Sequence, residues 1–258
     1  MRLFITLKAR DDSTYDNAYH QSLRSILWRG LSGSDYMNRH DSGEPSGFVM
    51  SNPFPPGDFE RGEEKHLLIA SQSEELLAYV AEDLIDKRDL RIGSMPFHVD
   101  HIDSIEPDVG EPGESGVLET GTGVLVRIPY HQCETYGIDH PGGESAVFWR
   151  PEHTMEPFRK QIQSNLDRKH SLFAPDHLPG PTDEDHPLFQ EYELIKTFAL
   201  PVTVTEGQEM TYILSKWRLT YTVRDDDHRR HLNLALDCGI GERNSFGLGF
   251  LNQLDESC

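Results

Sequence analysis

Gly239-Ile240-Gly241-Glu242-Arg243-Asn244-Ser245-Phe246-Gly247-Leu248-Gly249-Phe250 is the stretch on which the reading of this chain turns. Gly239, Gly241, Gly247 and Gly249 fall in two Gly-x-Gly pairs around a polar centre. A residue without Cβ lets the backbone turn sharply and approach a bulky ligand. Successive N–H groups of such a turn make a concave anion site. Arg243 adds a forked cation, and Asn244 and Ser245 add neutral donors. These seven residues are therefore candidate contacts to a phosphate backbone. The stretch is not a P-loop, since no Gly-Lys-Ser/Thr follows, and it does not fit the dinucleotide fingerprint, which runs from strand to helix. Here the order is reversed. Leu232, Leu234, Ala235 and Leu236 mark a short helix before it, with Gly239 at the helix end, and Leu248 to Leu251 a strand after it. A tight structural turn explains one Gly-x-Gly well, and two pairs around an arginine less well.

Upstream, Tyr192 to Val204 and Met210 to Val223 form a hairpin pattern around Glu206-Gly207. Residues 216–243 hold six Lys/Arg and five Asp/Glu, in a chain whose formal charge is −20. By alternation Lys216 and Arg218 share one strand face, a candidate RNA-binding face, while Trp217 and Leu219 take the core side.

The remaining pattern alternates. Arg2 to Leu7 is a strand, and Tyr19, Leu23, Ile26, Leu27 and Leu31 stripe a helix. A long loop runs from Ser32 to about Gly47, then come short strands at Phe48–Met50 and Leu67–Ala70. Ser73 caps a helix with an apolar face of Leu76, Leu77, Val80, Ala81 and Leu84, and a strand holds Phe97, Val99 and Ile102. The order β-α-β-β-α-β is the ferredoxin-like unit. Residues 104–122, rich in Gly, Pro and Glu, read as a linker. Beyond them the scheme repeats: a strand at Val124–Ile128, a short strand or insert at Val147–Trp149, and a helix capped by Thr154 with stripe Met155, Phe158, Ile162 and Leu166. The hairpin, short helix and final strand complete it. The fold class is α+β, two tandem ferredoxin-like (RRM-like) domains, residues 1–106 and 107–258.

Of 24 basic residues 17 are Arg, against 44 acidic ones spread along the chain. That balance fits a salt-rich cytoplasm, where the Debye length is about 3 Å at 1 M and self-repulsion is screened. Charge alone argues against nucleic acid, and the local pattern at 216–249 overrides it. No run of eighteen apolar residues predicts a membrane span, and three distant cysteines predict no disulfide framework. The expected location is the cytoplasm.

The closing segment resembles the glycine-rich loop of the CRISPR repeat-processing endoribonucleases, in the repeat-associated superfamily of ferredoxin-like RNA-binding proteins. Gly239, Gly241, Glu242, Asn244, Ser245, Gly247 and Gly249 carry the match. The resemblance implies two tandem ferredoxin-like domains and CRISPR repeat RNA as partner. It implies cleavage within each repeat without metal or other cofactor, leaving a 5′-hydroxyl and a 2′,3′-cyclic phosphate. It also implies a catalytic histidine in the loop after the first helix, which makes His40, within Tyr36-Met37-Asn38-Arg39-His40-Asp41-Ser42-Gly43, the catalytic candidate. Histidine titrates near neutrality and serves as base or acid for 2′-OH attack, and Arg39 or a glycine-loop N–H could stabilise the phosphorane. Some relatives carry a Tyr in the first helix and a Lys after the histidine; Trp28 and Ser46 stand at those positions here. Tyr36, Asn38 and Ser42 are candidate positioning residues.

Other readings compete. His20 is the alternative histidine. His98 and His101, with Asp100 and Asp103, resemble a loose zinc cluster, but strict alternation puts the two histidines on opposite faces. No Gly-x-Ser-x-Gly motif supports a serine nucleophile. A non-catalytic RNA-binding subunit of a CRISPR effector complex would share the fold and loop, with other complex subunits as partners. A phosphate-metabolite enzyme would bind nucleotides and ignore hairpin RNA.

Overall fold

Strand β1 (Arg2–Ala9) buries Leu3, Ile5 and Leu7 on one face, the period-2 pattern of a half-covered sheet. In the computed structural model β1 pairs antiparallel with β3 (Glu64–Ser71) on one side and β5 (Met95–Ile105) on the other. β2 (Phe48–Met50) extends the sheet beyond β3, and β4 (Asp89–Ile92) beyond β5, giving the order β2-β3-β1-β5-β4. Residues 1–40, 42–140, 145–175, 177–181, 186–205 and 208–254 are described. The hairpin turn Glu206-Gly207 and Asp41 lie outside them. Helices α1 (Tyr19–Gly30) and α2 (Glu74–Asp86) cover the Leu3–Ile5–Leu7 face. Ser73 caps α2 as the sequence predicts, accepting from the Leu76 amide at 3.1 Å.

The second unit follows the same plan. Its sheet, in the order β11-β6-β10-β9, is made of β6 (Ser115–Thr120), β9 (Glu191–Thr205), β10 (Gln208–Thr222) and β11 (Leu251–Leu254). α4 (Met155–Phe173) and α5 (Asp226–Cys238) cover it, and a core of Phe158, Ile162, Leu166, Trp217, Leu219, Tyr221 and Leu232 lies between. The chain is thus two tandem ferredoxin-like units. A small two-stranded sheet, β7 (Arg127–Pro129) with β8 (Ala146–Phe148), and the one-turn helix α3 (Tyr130–Cys133) are inserted between β6 and α4.

Three expectations are corrected. The predicted linker holds the first strand of the second unit, β6, whose Gly116 lies beneath the Tyr221 hydroxyl. The strand expected at Val124–Ile128 starts later: Val124 and Leu125 make only isolated bridges, to Ser215 and Glu242, and Arg127 and Ile128 belong to β7, outside the second unit's main sheet. The cap position of α4 is Thr154, but its side chain makes no capping bond; its carbonyl accepts the Trp149 indole N–H at 3.0 Å.

The two units share one seam. The Arg2 guanidinium donates to the Leu236 carbonyl at 3.0 Å and the Leu251 carbonyl at 2.9 Å, and lies over the Phe250 ring. Val49, Leu68, Ala70 and Phe250 form an apolar cluster across the same seam.

Candidate active site

The loop after α1 is pinned at both ends. A 3-10 turn, Asp35–Arg39, ends at His40, whose amide donates to the Met37 carbonyl at 3.0 Å. The His40 ring stands edge-on to Trp28 of α1, centroids 4.8 Å apart, and Trp28 in turn meets Phe48 of β2. Tyr36 faces α2 through Ser73 (2.6 Å) and Glu75 (3.0 Å), and Ser42 Oγ donates to the Arg39 carbonyl at 3.0 Å. Asn38 is exposed. Tyr36 and Ser42 therefore hold the loop's own shape. Arg39 lies over Tyr36 and over Phe173 of α4, with one buried guanidinium nitrogen lacking a hydrogen bond among the described residues.

The glycine segment is folded on itself. Asn244 is buried and donates to the Ile240 carbonyl (3.1 Å) and the Leu248 carbonyl (2.8 Å), tying the two Gly-x-Gly pairs together. The amides of Ile240, Glu242, Phe246, Gly247 and Gly249 are spent on internal carbonyls. Five amides of the cradle expected from the sequence are thus spent on the protein's own carbonyls, three within the loop and those of Glu242 and Gly249 on Leu125 and Gly123. What faces outward is Arg243, exposed, and Ser245, half-buried. Arg243 has φ +59°, the only positive φ at a non-glycine residue among the described residues. An L side chain there costs about 1–2 kcal/mol, and strain of this kind gathers at functional sites.

The first unit and the loop touch directly. His20 of α1 is buried, and its Nδ1 lies 2.7 Å from the Phe246 carbonyl. A carbonyl can only accept, so Nδ1 carries the proton. Burial lowers the His20 pKa, which keeps the ring neutral. The alternative catalytic histidine of the sequence reading is thereby a clamp on the glycine loop.

Between the His40 loop and the glycine loop lies a cavity of about 270 Å³. Arg24 and Trp28 come from α1, Arg39 and Gly43 to Ser46 from the loop, Arg168 and Lys169 from α4, and Gly241 to Phe246 from the glycine segment. Arg168 donates to the Gly43 carbonyl at 3.0 Å, so α4 of the second unit holds the His40 loop of the first. Lys169 donates to the Gly239 (2.8 Å) and Gly241 (3.2 Å) carbonyls, and burial lowers its pKa to about 8. Arg127 binds Glu242 through its amide (3.0 Å) and its guanidinium (Nε at 2.7 Å). The cavity is thus walled by Arg24, Arg39, Arg127, Arg168, Lys169 and Arg243, with Glu44 and Glu242 as its acids. Such a wall suits a phosphate. His40 is not itself among the lining residues; it stands behind two that are, next to Arg39 in the chain and edge-on to Trp28.

Residues 111–253 match the family profile described as CRISPR associated protein Cas6, C-terminal. A protein of Haloferax mediterranei named CRISPR-associated endoribonuclease Cas6 is 49% identical over 257 residues, covering 100% of this chain and 95% of the relative. The chain belongs to the Cas6 family of CRISPR-associated endoribonucleases. A solved structure titled CRISPR associated protein Cas6 superposes with a TM-score of 0.69 at 17% identity, covering 99% of each chain. Another, titled an RAMP protein binding different RNA substrates, gives 0.68 at 17% identity, covering 99% of this chain and 100% of that one. At those identities the likeness is one of fold. The halophilic relative agrees with the acidic, arginine-rich composition of this Cas6 chain.

Not every residue singled out in the sequence comes to the cavity. Lys216 and Arg218 sit on the open face of the second sheet. Lys216 donates to the Gly121 carbonyl at 2.8 Å, and burial lowers its pKa. Arg218 is held by Glu119 (3.0 Å) and Glu193 (3.4 Å), its pKa raised first by the bond to Glu119. His98 and His101 prove to share a face, because the register shift in β5 leaves them opposite Lys8 and Thr6 of β1. Each is bound to its own carboxylate, Asp89 or Asp103, at 2.8 Å. Arg24, Arg127, Arg168 and Lys169 were missed in this Cas6 sequence. Lys169 left a signal: it continues the Phe158–Ile162–Leu166 stripe, so its ammonium falls on a core-facing position.

Proposed function

We propose that this Cas6 chain cuts CRISPR precursor RNA within its repeats, by attack of a 2′-OH on the adjacent phosphate. The 2′-oxygen bonds to phosphorus and the bond to the 5′-oxygen breaks. His40 takes the 2′ proton or supplies the one that the leaving oxygen needs. The products are a 2′,3′-cyclic phosphate and a 5′-hydroxyl. Histidine and cations together meet the needs of this step without a metal.

The observation that carries the reading is the cavity itself: the loop bearing His40 and the glycine loop, some two hundred residues apart in sequence, wall one cation-lined space. Arg243, Ser245 and the close-packed Gly239, Gly241, Asn244, Gly247 and Gly249 shape the RNA-binding wall in this proposal. Lys216 and Arg218 contribute further along the open sheet face. No helix among the described residues is long and apolar enough to cross a membrane, and we place the enzyme in the cytoplasm.

Labelled repeat RNA provides the test. The wild type should cut it with undiminished rate in EDTA, and a 2′-deoxy residue at the cut site should abolish cutting. His40→Ala should lower the single-turnover rate by roughly 10²–10⁴-fold with binding retained. Undiminished cutting by His40→Ala would remove His40 from the reaction. Binding without cutting by the wild type would favour a non-catalytic subunit of a CRISPR effector complex.

A further inference from the structure

Lys169 is 4% exposed, yet it forms part of the cavity wall. An ammonium has three N–H donors. Two go to the Gly239 and Gly241 carbonyls, at 2.8 and 3.2 Å. Among the described residues no carboxylate lies within ion-pair distance of Nζ. The acid nearest in sequence to those carbonyls, Glu242, has both oxygens on Arg127. A buried cation without a counter-charge is costly, and such a cation in a cleft marks a place where an anion belongs. The neighbouring Arg168 holds the His40 loop through Gly43. One turn of α4 therefore reaches both walls of the cavity.

We propose that Lys169 is a phosphate-facing cation of the cleavage site, held in place by the two glycine carbonyls and supplying the positive charge that the phosphorane requires. This assignment rests on the reading of the cavity as a cleavage site. A purely structural role, satisfying the carbonyls beyond the end of α5, is the competing account.

The two accounts differ in what pH and salt do. Charged and titratable groups felt by Lys169 are Cys238 of α5, Glu242 and Arg168; the same cavity holds Arg24 of α1, Arg39 and Glu44 of the loop after it, Arg127 of β7 and Arg243 of the glycine segment. Burial pushes the Cys238 thiol up to about 12, so it stays neutral while the ammonium, lowered to about 8, loses its proton. At sub-saturating repeat RNA, where the rate reports the free enzyme, the wild type should lose rate as pH rises through about 8. Lys169→Arg, which cannot deprotonate there, should lack that alkaline fall. Lys169→Met should lose about 10²-fold in rate. Its binding of uncleavable 2′-deoxy repeat RNA should show a salt dependence shallower by about one counterion.

Thermal melting of each variant separates folding from chemistry, and the wild-type pH profile needs no variant. An unchanged salt slope in Lys169→Met, or an alkaline fall that persists undiminished in Lys169→Arg, would reduce Lys169 to a structural clamp. If the wild type fails to cut repeat RNA at all, the fault lies with the cleavage reading and not with Lys169 alone.

Discussion

A Cβ built on Gly249 would overlap the carbonyl oxygen of Ile240, and its φ is +74°. On Gly241 the same atom would come 2.5 Å from the Leu125 carbonyl oxygen, while on Gly247 it would meet Met50 at an ordinary 3.4 Å. All three hold positive φ, which costs an L residue about 1–2 kcal/mol, but only the first two add a clash with backbone that cannot swing away. Alanine substitutions should therefore rank Gly249 worst, then Gly241, then Gly247. Gly247→Ala should lose about 1–2 kcal/mol and the other two clearly more, by urea unfolding. Equal losses at all three would mean that the clash is relieved by loop movement. The glycines stood out in the sequence as a candidate site, but their packing reason did not. They were read as making room for a ligand, whereas Gly241 and Gly249 make room for the protein's own carbonyls. That information lies in which backbone comes near, and a single sequence does not contain it.

Elements were legible where period and cap agree. β1 with its Leu3–Ile5–Leu7 alternation and α2 with Ser73 and its apolar face stand as read. β6 was lost because Gly116 and its acidic flanks outweigh one alternating pair, Leu118 and Thr120. β4, only four residues long with two buried side chains, Leu90 and Ile92, was not read as an element at all. α5 is longer than its apolar cluster suggested. It starts at Asp226, where Asp225 accepts the His228 amide at 2.8 Å and its pKa is lowered by that bond. The Asp225-Asp226-Asp227 run, counted as charge in the sequence, is the capped, acid-rich first turn of a helix. Asp225→Ala should cost about 1 kcal/mol. Because α5 runs directly into Gly239, faster amide exchange at its first turn should appear with it. A variant as stable as the parent would show that packing of Leu232 and Leu236 alone sets the start of α5.

At the scale of the molecule the acidic surface and the RNA make opposite demands. The chain carries −20 overall, but the cavity brings six Arg and Lys side chains to one wall. In dilute buffer the scattered carboxylates repel one another and the incoming phosphates. At about 1 M salt the Debye length is near 3 Å, so that repulsion is screened at the surface, while buried cations such as Lys169 are screened much less. Exposed pairs such as Arg218 with Glu119 gain little in any medium. Stability should therefore rise with KCl, with the melting temperature climbing from 0.1 M toward roughly 2 M as the Debye length shrinks. Phosphate contacts weaken steeply with salt, so repeat binding that survives in molar KCl must draw on the shape of the stem and on base edges and stacking. Matched titrations of repeat RNA and of a scrambled RNA of equal length should diverge as KCl rises, the scrambled one losing affinity first. A melting temperature that falls with KCl, or equal loss of both RNAs, would mean that the acidic surface is not a salt adaptation.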